Sequence, residues 1–343
     1  MKSMRAVFVL LAVASQGYAV EPAETRAAFL QSIQRPRVEL AAEMKEAGET
    51  DGLKQKQFSY LAEAGQRVPG LWYQSAASQG RRPVVIILHG TGGNKEGMKE
   101  HLVSYARAGF VAVAIDGRYH GARSATGKGS ADYQDAMLRA WRNPGHEQPF
   151  FFDTAWDVIR LIDFLETRPE IDAKRIGVIG FSKGGVETYL SAAVDSRIAV
   201  AVPCIGVQSF RWALDNDSWQ SRIGTIQSAV DTAAKESGGA KVDAAFIRKF
   251  YARVVPGIDG QFDGPAMLPL IAPRPLLVIN GDSDARTPMP GLMLCINPTR
   301  ARYEQAGAAD RFRFFPEKDT AHKVTPEAHA LALEWFKRWL KPE

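Results

Sequence analysis

A serine hydroxyl attacks a carbonyl only where the chain lifts it clear and a base can take its proton. Gly180-Phe181-Ser182-Lys183-Gly184 has the residue types and spacing for this. The apolar run Ile176 to Ile179 reads as a buried strand, and Val186 to Ala193 reads as a helix. G-x-S-x-G between a strand and a helix is a nucleophile elbow, a turn so sharp that glycines two residues either side must remove side-chain clashes. The serine then stands at the strand's C-terminal end, above a helix N-terminus that favours developing negative charge. Ser182 is the expected nucleophile.

Acyl transfer also needs donors for the oxyanion. His89-Gly90-Thr91-Gly92-Gly93 follows the apolar run Val84 to Leu88, so a backbone N–H from this turn can point at the reacting carbonyl. Thr91 is the expected first donor, with Gly92 its close rival. The second N–H is that of Lys183, the residue after the nucleophile, whose side chain is expected to reach solvent. His89 is expected to support the loop.

The acid and base come later in the chain. Leu276 to Ile279 leads into Asn280-Gly281-Asp282-Ser283-Asp284. Asp284 sits where G-x-x-D after a strand places a carboxylate over the site, whereas Asp282 suits binding of turn amides. Of the six histidines, only His322 lies between the final candidate strand, Phe312 to Phe315, and the C-terminal helix. His329 falls inside that helix, and His120 reads as structural or pocket-lining. The order Ser182, Asp284, His322 is the chain order of a serine triad on an α/β sheet. Four aromatics, Phe210, Trp212, Trp219 and Trp141, either wall the substrate or pack an insertion onto the body; both readings stay open.

Elements of the right kind surround these residues. Val111 to Ile115 and Ile198 to Val202 are further continuous apolar runs, as strands buried on both faces require. Helical spacing appears after Asp153 (Ala155, Val158, Ile159, Ile162, Leu165) and at the end of the chain (Ala328, Leu331, Ala332, Trp335, Phe336, Trp339). Thr325 and Pro326 suit the start of the last helix. Alternation of strand and helix predicts an α/β fold, a mostly parallel sheet covered on both faces. Residues 58–73 read as antiparallel strands. Residues 119–152 and 206–273 are too long for plain connections, and the second is expected to be a partly helical cap. Residues 20–57 are expected to be a helical extension, leaving 58–343 as one catalytic domain.

At the N-terminus, Lys2 and Arg5 precede the apolar stretch Ala6 to Ala14 and the small residues Gly17 and Ala19. This is the layout of a signal peptide over residues 1–19, so a periplasmic or secreted location is expected. The apolar run is too short for a permanent span, and no stable membrane insertion is expected. The formal charge is +5, or +3 without those two cations. No basic stripe with interleaved aromatics accompanies it, so no nucleic-acid partner is expected. Cys204 and Cys295 fit no metal motif, and export permits but does not require a bridge between them. The sequence carries no internal repeat and no signature of a particular oligomeric state.

Together, Gly180–Gly184, His89–Gly93, Asp284 and His322 make the chain resemble the α/β-hydrolase superfamily over roughly residues 60–340. Asp172-Ala173-Lys174-Arg175-Ile176-Gly177-Val178-Ile179-Gly180, leading into the elbow, resembles the dienelactone hydrolase and acetyl xylan esterase-like branch, which shares its core with prolyl-oligopeptidase-type peptidases. Dienelactone hydrolases proper carry a cysteine where this chain has Ser182. The resemblance implies an esterase that needs no metal or organic cofactor and acts on a small-molecule or polysaccharide ester, such as an acetyl or feruloyl ester. A peptidase or amidase with the same triad is the alternative.

Overall fold

The computed structural model describes residues 21–342; the expected signal peptide, residues 1–19, lies outside them. Among the described residues, nine strands form one sheet in the order β1-β2-β3-β5-β4-β6-β7-β8-β9. They are β1 (Glu43–Thr50), β2 (Leu53–Glu63), β3 (Gln66–Ser75), β4 (Arg82–Leu88), β5 (Val111–Ile115), β6 (Ile171–Phe181), β7 (Ile198–Cys204), β8 (Leu276–Gly281) and β9 (Phe312–Glu317). β1 to β3 are antiparallel, β3 pairs antiparallel with β5, and every pair from β5 to β9 is parallel.

Twelve α-helices, with four short 3-10 turns, accompany them among the described residues: α1 (Pro22–Ile33), α2 (Lys99–Arg107), α3 (Ser130–Arg142), α4 (Phe152–Glu166), α5 (Lys183–Val194), α6 (Phe210–Asp215), α7 (Gln220–Ile223), α8 (Gln227–Glu236), α9 (Ala244–Val254), α10 (Gly264–Met267), α11 (Met289–Gln305) and α12 (Pro326–Leu340). Successive strand residues face opposite ways. Val84, Ile86 and Leu88 therefore join one core, with residues of α1, α4, α5 and the 206–273 insertion. Val85 and Ile87 join the other, with residues of α2 and α12. Continuous apolar runs follow from this two-sided burial. Gly177 lets β6 lie against Phe336 of α12, because a Cβ there would run into the phenyl ring. Thr325 caps α12 by accepting the Ala328 amide at 3.3 Å.

Residues 206–273 are partly helical, carrying α6 to α10 between β7 and β8. Residues 20–57 depart from the expected helical extension. Helix stops at Ile33, β1 occupies 43–50, and β2 begins at Leu53, before the expected boundary at residue 58. Leu40, Ala41, Met44 and Ala47 repeat at the three- and four-residue spacing of a weak helical face, yet none of them is helical. β1 is an edge strand with charged, mostly exposed side chains, as edges require. Its stability comes from the unpaired edge of β2, which apolar periodicity does not report.

Cys204 and Cys295 are separate free thiols, both buried. Among the described residues no helix is long and apolar enough to cross a membrane.

Candidate active site

The backbone at Ser182 is strained. Ser182 has φ 55° and ψ −111°, a region that costs a side-chain-bearing residue on the order of 1–3 kcal/mol. The elbow is held from both sides: the Ser182 amide donates to Cys204 O on β7 at 2.9 Å, and Ser182 O accepts from Val186 N at 3.1 Å. A Cβ on Gly180 would collide with the Gly184 carbonyl, and one on Gly184 with the Leu88 carbonyl. Those two glycines are where β6, α5 and β4 close on one another.

Because β6, β8 and β9 are parallel, their C-terminal ends share one rim of the sheet. Ser182 follows β6, Asp284 follows β8, and His322 follows β9. The last two loops interlock. Asp282 N donates to Glu317 O at 3.0 Å and Ser283 N to Thr320 O at 3.1 Å, while Asp282 Oδ1 accepts the Thr320 amide at 3.3 Å. Glycine at 281 admits the 320–321 backbone, against which a Cβ would collide. His322 Nδ1 is thereby held 2.7 Å from Asp284 Oδ2, and Nε2 stands 2.9 Å from Ser182 Oγ.

A carboxylate on Nδ1 fixes that nitrogen as the N–H donor and leaves Nε2 as the acceptor for the serine proton. Asp284 is buried, which by itself would raise its pKa. Hydrogen bonds from His322, the Thr287 hydroxyl and the Arg286 amide outweigh burial and hold it below the ordinary carboxylate value. Thr287 Oγ1 lies 2.7 Å from Asp284 Oδ2, and Arg286 N donates to Oδ1 at 2.8 Å. No motif names Thr287, and its one signal in the sequence is a hydroxyl three residues past Asp284.

The glycine-rich loop after β4 packs directly on the elbow: a Cβ on Gly90 would stand 3.5 Å from Ser182 Cβ. Thr91 is half-buried. Lys183 begins α5, so its amide has no intrahelical acceptor. His89 is buried and joins this loop to the next one: Nδ1 lies 2.8 Å from Gly90 O, and Nε2 accepts from Gly117 N at 3.0 Å. Those partners require the proton on Nδ1. Burial, reinforced by the Lys183 charge, lowers the His89 pKa to about 4. His120 is also buried, with Nδ1 2.7 Å from Arg118 O, and burial lowers it to about 2.

Asp116, fully buried just past β5, accepts Lys95 N at 2.8 Å, Lys95 Nζ at 2.8 Å and Ala122 N at 2.9 Å. It ties the segment following Gly93 to the segment following β5. No motif names it, although its place directly after an apolar strand was a signal.

Two expectations are corrected. The Lys183 side chain does not reach solvent; it is buried in an ion pair with Glu187, four residues along α5. The ammonium lies 5.7 Å over the Tyr133 ring and against Gly117, and a carboxylate one helical turn away offers compensation. Phe210 and Trp141 are not an accessible aromatic wall. Phe210 is fully buried against Phe151 and Tyr251, and Trp141 packs between Phe246 and Phe250 with Arg253 4.8 Å above its ring. Large rings contribute most when wholly removed from water, so they fasten the insertion to the body. Trp212 and Trp219 remain half-buried on the insertion.

Among the described residues, no group of three or more His, Cys, Asp or Glu side chains is placed to hold a metal ion. The sheet and the serine–histidine–aspartate line at its rim define a hydrolase of the α/β-hydrolase class. The family model for acetyl xylan esterase (AXE1) matches residues 30–215, more than half of the chain, and that for fungal glucuronyl esterase matches residues 143–307. The chain belongs to the acetyl xylan esterase (AXE1) family and is a carboxylic ester hydrolase.

Among sequence relatives, YtaP of Bacillus subtilis is 23% identical over 288 residues, covering 80% of this chain and 84% of its own. A 4-O-methyl-glucuronoyl methylesterase of Sodiomyces alcalophilus is 30% identical over 175 residues, covering 50% of this chain and 34% of its own; the match thus spans about a third of that relative. Acetyl xylan esterase 1 from Thermoanaerobacterium sp. superposes with a TM-score of 0.63 at 18% identity, covering 93% of both chains. A glucuronoyl esterase from Solibacter usitatus gives 0.62 at 16% identity, covering 92% of this chain and 91% of its own. At such identities the superpositions establish the shared fold.

Proposed function

We propose that this chain is an exported serine esterase that removes acyl groups from polysaccharide esters through an acyl-enzyme intermediate. Acetyl esters are the first substrate class and uronoyl esters the second. The observation carrying this reading is the unbroken line from Ser182 Oγ through His322 to Asp284, with contacts of 2.9 and 2.7 Å. Its family membership and the names of its glucuronoyl-esterase relatives support the substrate class. The arrangement of Lys2, Arg5 and the apolar stretch after them supports export to the periplasm or medium.

In the first step, His322 Nε2 accepts the Ser182 proton as Oγ bonds to the ester carbonyl carbon. The carbonyl oxygen becomes an oxyanion facing the backbone N–H groups of Thr91 and Lys183; one such donor is worth about 3 kcal/mol in the transition state. Collapse expels the alcohol, which takes the proton from His322. Water then attacks the acyl-serine with the same base, releasing the acid and restoring Ser182. Asp284 keeps the imidazole oriented and stabilises its cation throughout.

The test is the intact mass after treatment with a fluorophosphonate, with peptide mapping of the adduct. A panel of acetyl, feruloyl, longer-chain and methyl glucuronate esters, with aminoacyl amides beside them, then ranks the substrates. Labelling confined to Ser182 and preference for esters support the proposal. An unlabelled protein refutes the mechanism, and faster turnover of amides moves the chain to the peptidase alternative.

A further inference from the structure

A single peptide group aims the N–H of Thr91. The carbonyl of Gly90 accepts twice, from His89 Nδ1 at 2.8 Å and from the Gly93 amide at 3.0 Å. That carbonyl and the Thr91 N–H belong to one planar, trans peptide, so they point in opposite directions. Whatever holds Gly90 O therefore sets the direction of the Thr91 N–H.

His89 is held at its other nitrogen as well. Nε2 accepts the Gly117 amide at 3.0 Å. A ring with one proton, on Nδ1, satisfies both partners, and a ring with two satisfies only the Gly90 carbonyl. Beside Gly117 stands the Lys183 ammonium. A Cβ on Gly117 would lie 2.8 Å from Lys183 Nζ and 3.5 Å from His89 Nε2. The missing side chain is what lets the cation and the imidazole stand on the same side of this glycine.

A second proton on His89 would set one buried cation beside another. The other groups facing the imidazole are the His120 ring, 5.1 Å away between centroids, and the Lys95 ammonium and Asp116 carboxylate, which are paired with each other. Lys183 exerts the largest charge effect on the ring, although Glu187 is its own partner. The residue after the nucleophile thus reaches the site twice: its amide opens α5 next to Ser182, and its side chain runs inward to the support of the glycine-rich loop.

We infer that Lys183 is a positioning residue for both oxyanion donors: its backbone supplies one, and its buried side chain, through Gly117 and His89, aims the other. This rests on the serine-esterase reading. The two N–H groups then share one mechanical link beside the nucleophile, and the cation acts on the loop without touching substrate.

The experiment compares the wild type with Lys183→Met/Glu187→Leu, with His89→Asn and with the combination of all three substitutions. The substrate is 4-nitrophenyl acetate, and phenylboronic acid, which forms a tetrahedral adduct on an activated serine, is the inhibitor. Lys183→Met/Glu187→Leu removes both charges and strands neither. Its kcat is expected to fall about tenfold with KM within about twofold of wild type, because the oxyanion forms only in the transition state. The inhibition constant of phenylboronic acid is expected to rise by a similar factor. His89→Asn is expected to give a similar loss, and the combined variant little more, since residues acting in one chain are not additive. Nitrogen NMR of the histidine-labelled wild type is expected to show His89 neutral at neutral pH with its proton on Nδ1, and protonation at higher pH in Lys183→Met/Glu187→Leu.

An unchanged kcat in Lys183→Met/Glu187→Leu overturns the inference. So does a rise in KM alone, or losses that multiply in full when the substitutions are combined. Should the variants fail to fold, a wild-type His89 that is charged, or protonated on Nε2, at neutral pH overturns it without them. Fluorophosphonate labelling of Ser182 and ester turnover by the wild type report on the esterase reading, so the two fail separately.

Discussion

Asp116 and Lys95 are joined twice: the carboxylate receives both the backbone amide and the ammonium of the same lysine, each at 2.8 Å. The double contact pins the chain two residues beyond Gly93 to the end of β5, and so sets the height of the oxyanion loop above Ser182. Asp116→Asn removes the charge that compensates a largely buried ammonium. Because Glu96 remains 2.7 Å from Lys95 Nζ, the loss is expected to fall below that of a fully broken buried pair, at about 2 kcal/mol. The catalytic signature is a kcat reduced about tenfold with KM nearly unchanged, since the oxyanion forms only in the transition state. Denaturant melts and steady-state kinetics check the two halves; a rise in KM alone would contradict the positioning role.

Ser182 is held at φ 55°, and relief of that strain is measurable. Ser182→Ala retains a Cβ and is expected to be inactive with stability within about 0.5 kcal/mol of wild type. Ser182→Gly removes the clash and is expected to be inactive yet more stable than the alanine variant by about 1 kcal/mol. Thermal unfolding of the three proteins decides the point. Turnover surviving in the alanine variant would end the nucleophile assignment.

Four buried or half-buried histidines resist protonation, His329 among them through burial. Burial lowers His89 and His101 to about 4, and His120 to about 2. The unfolded chain takes up these protons near the ordinary value of 6.5, while the folded protein does not. Their stabilising contribution is complete above pH 6.5 and is lost as pH falls toward 4. With up to four protons involved, stability is expected to drop by at most about 5 kcal/mol per pH unit in that window. Urea unfolding at a series of pH values measures the slope, and His101→Phe should remove about one proton from it. His101 stacks 4.8 Å from Phe181 and lies 4.7 Å from His329, so phenylalanine keeps the packing.

The buried pair of Lys183 and Glu187 gives an asymmetric prediction. Glu187→Gln strands the ammonium in the protein interior and is expected to cost about 3–5 kcal/mol. The double variant Lys183→Met, Glu187→Leu removes both charges and is expected to recover most of that loss. Chemical denaturation of the two variants tests it; equal destabilisation would show that packing volume, not charge, governs the position.

The reactive parts were legible because their chemistry imposes local rules. An elbow needs glycines around Ser182, a strand buried on both faces must be apolar throughout, and a base after the last strand leaves His322 among six histidines. What local rules cannot express was missed. β1 carries no apolar period because it is itself an exposed edge strand, held by backbone pairing with β2; Lys183 looks like any surface lysine until α5 places it against Glu187.

The linear chain thus determined the strand order of the chemistry and the identity of Ser182, Asp284 and His322 as the groups to bring together. Only tertiary structure decided how they meet: through the interlocked loops after β8 and β9, with Thr287 and Arg286 on the carboxylate and Asp116 behind the oxyanion turn. It also decided that Phe210 and Trp141 are fasteners. Burial and electrostatic pairing arise between segments far apart in the chain, so no stretch of sequence contains them.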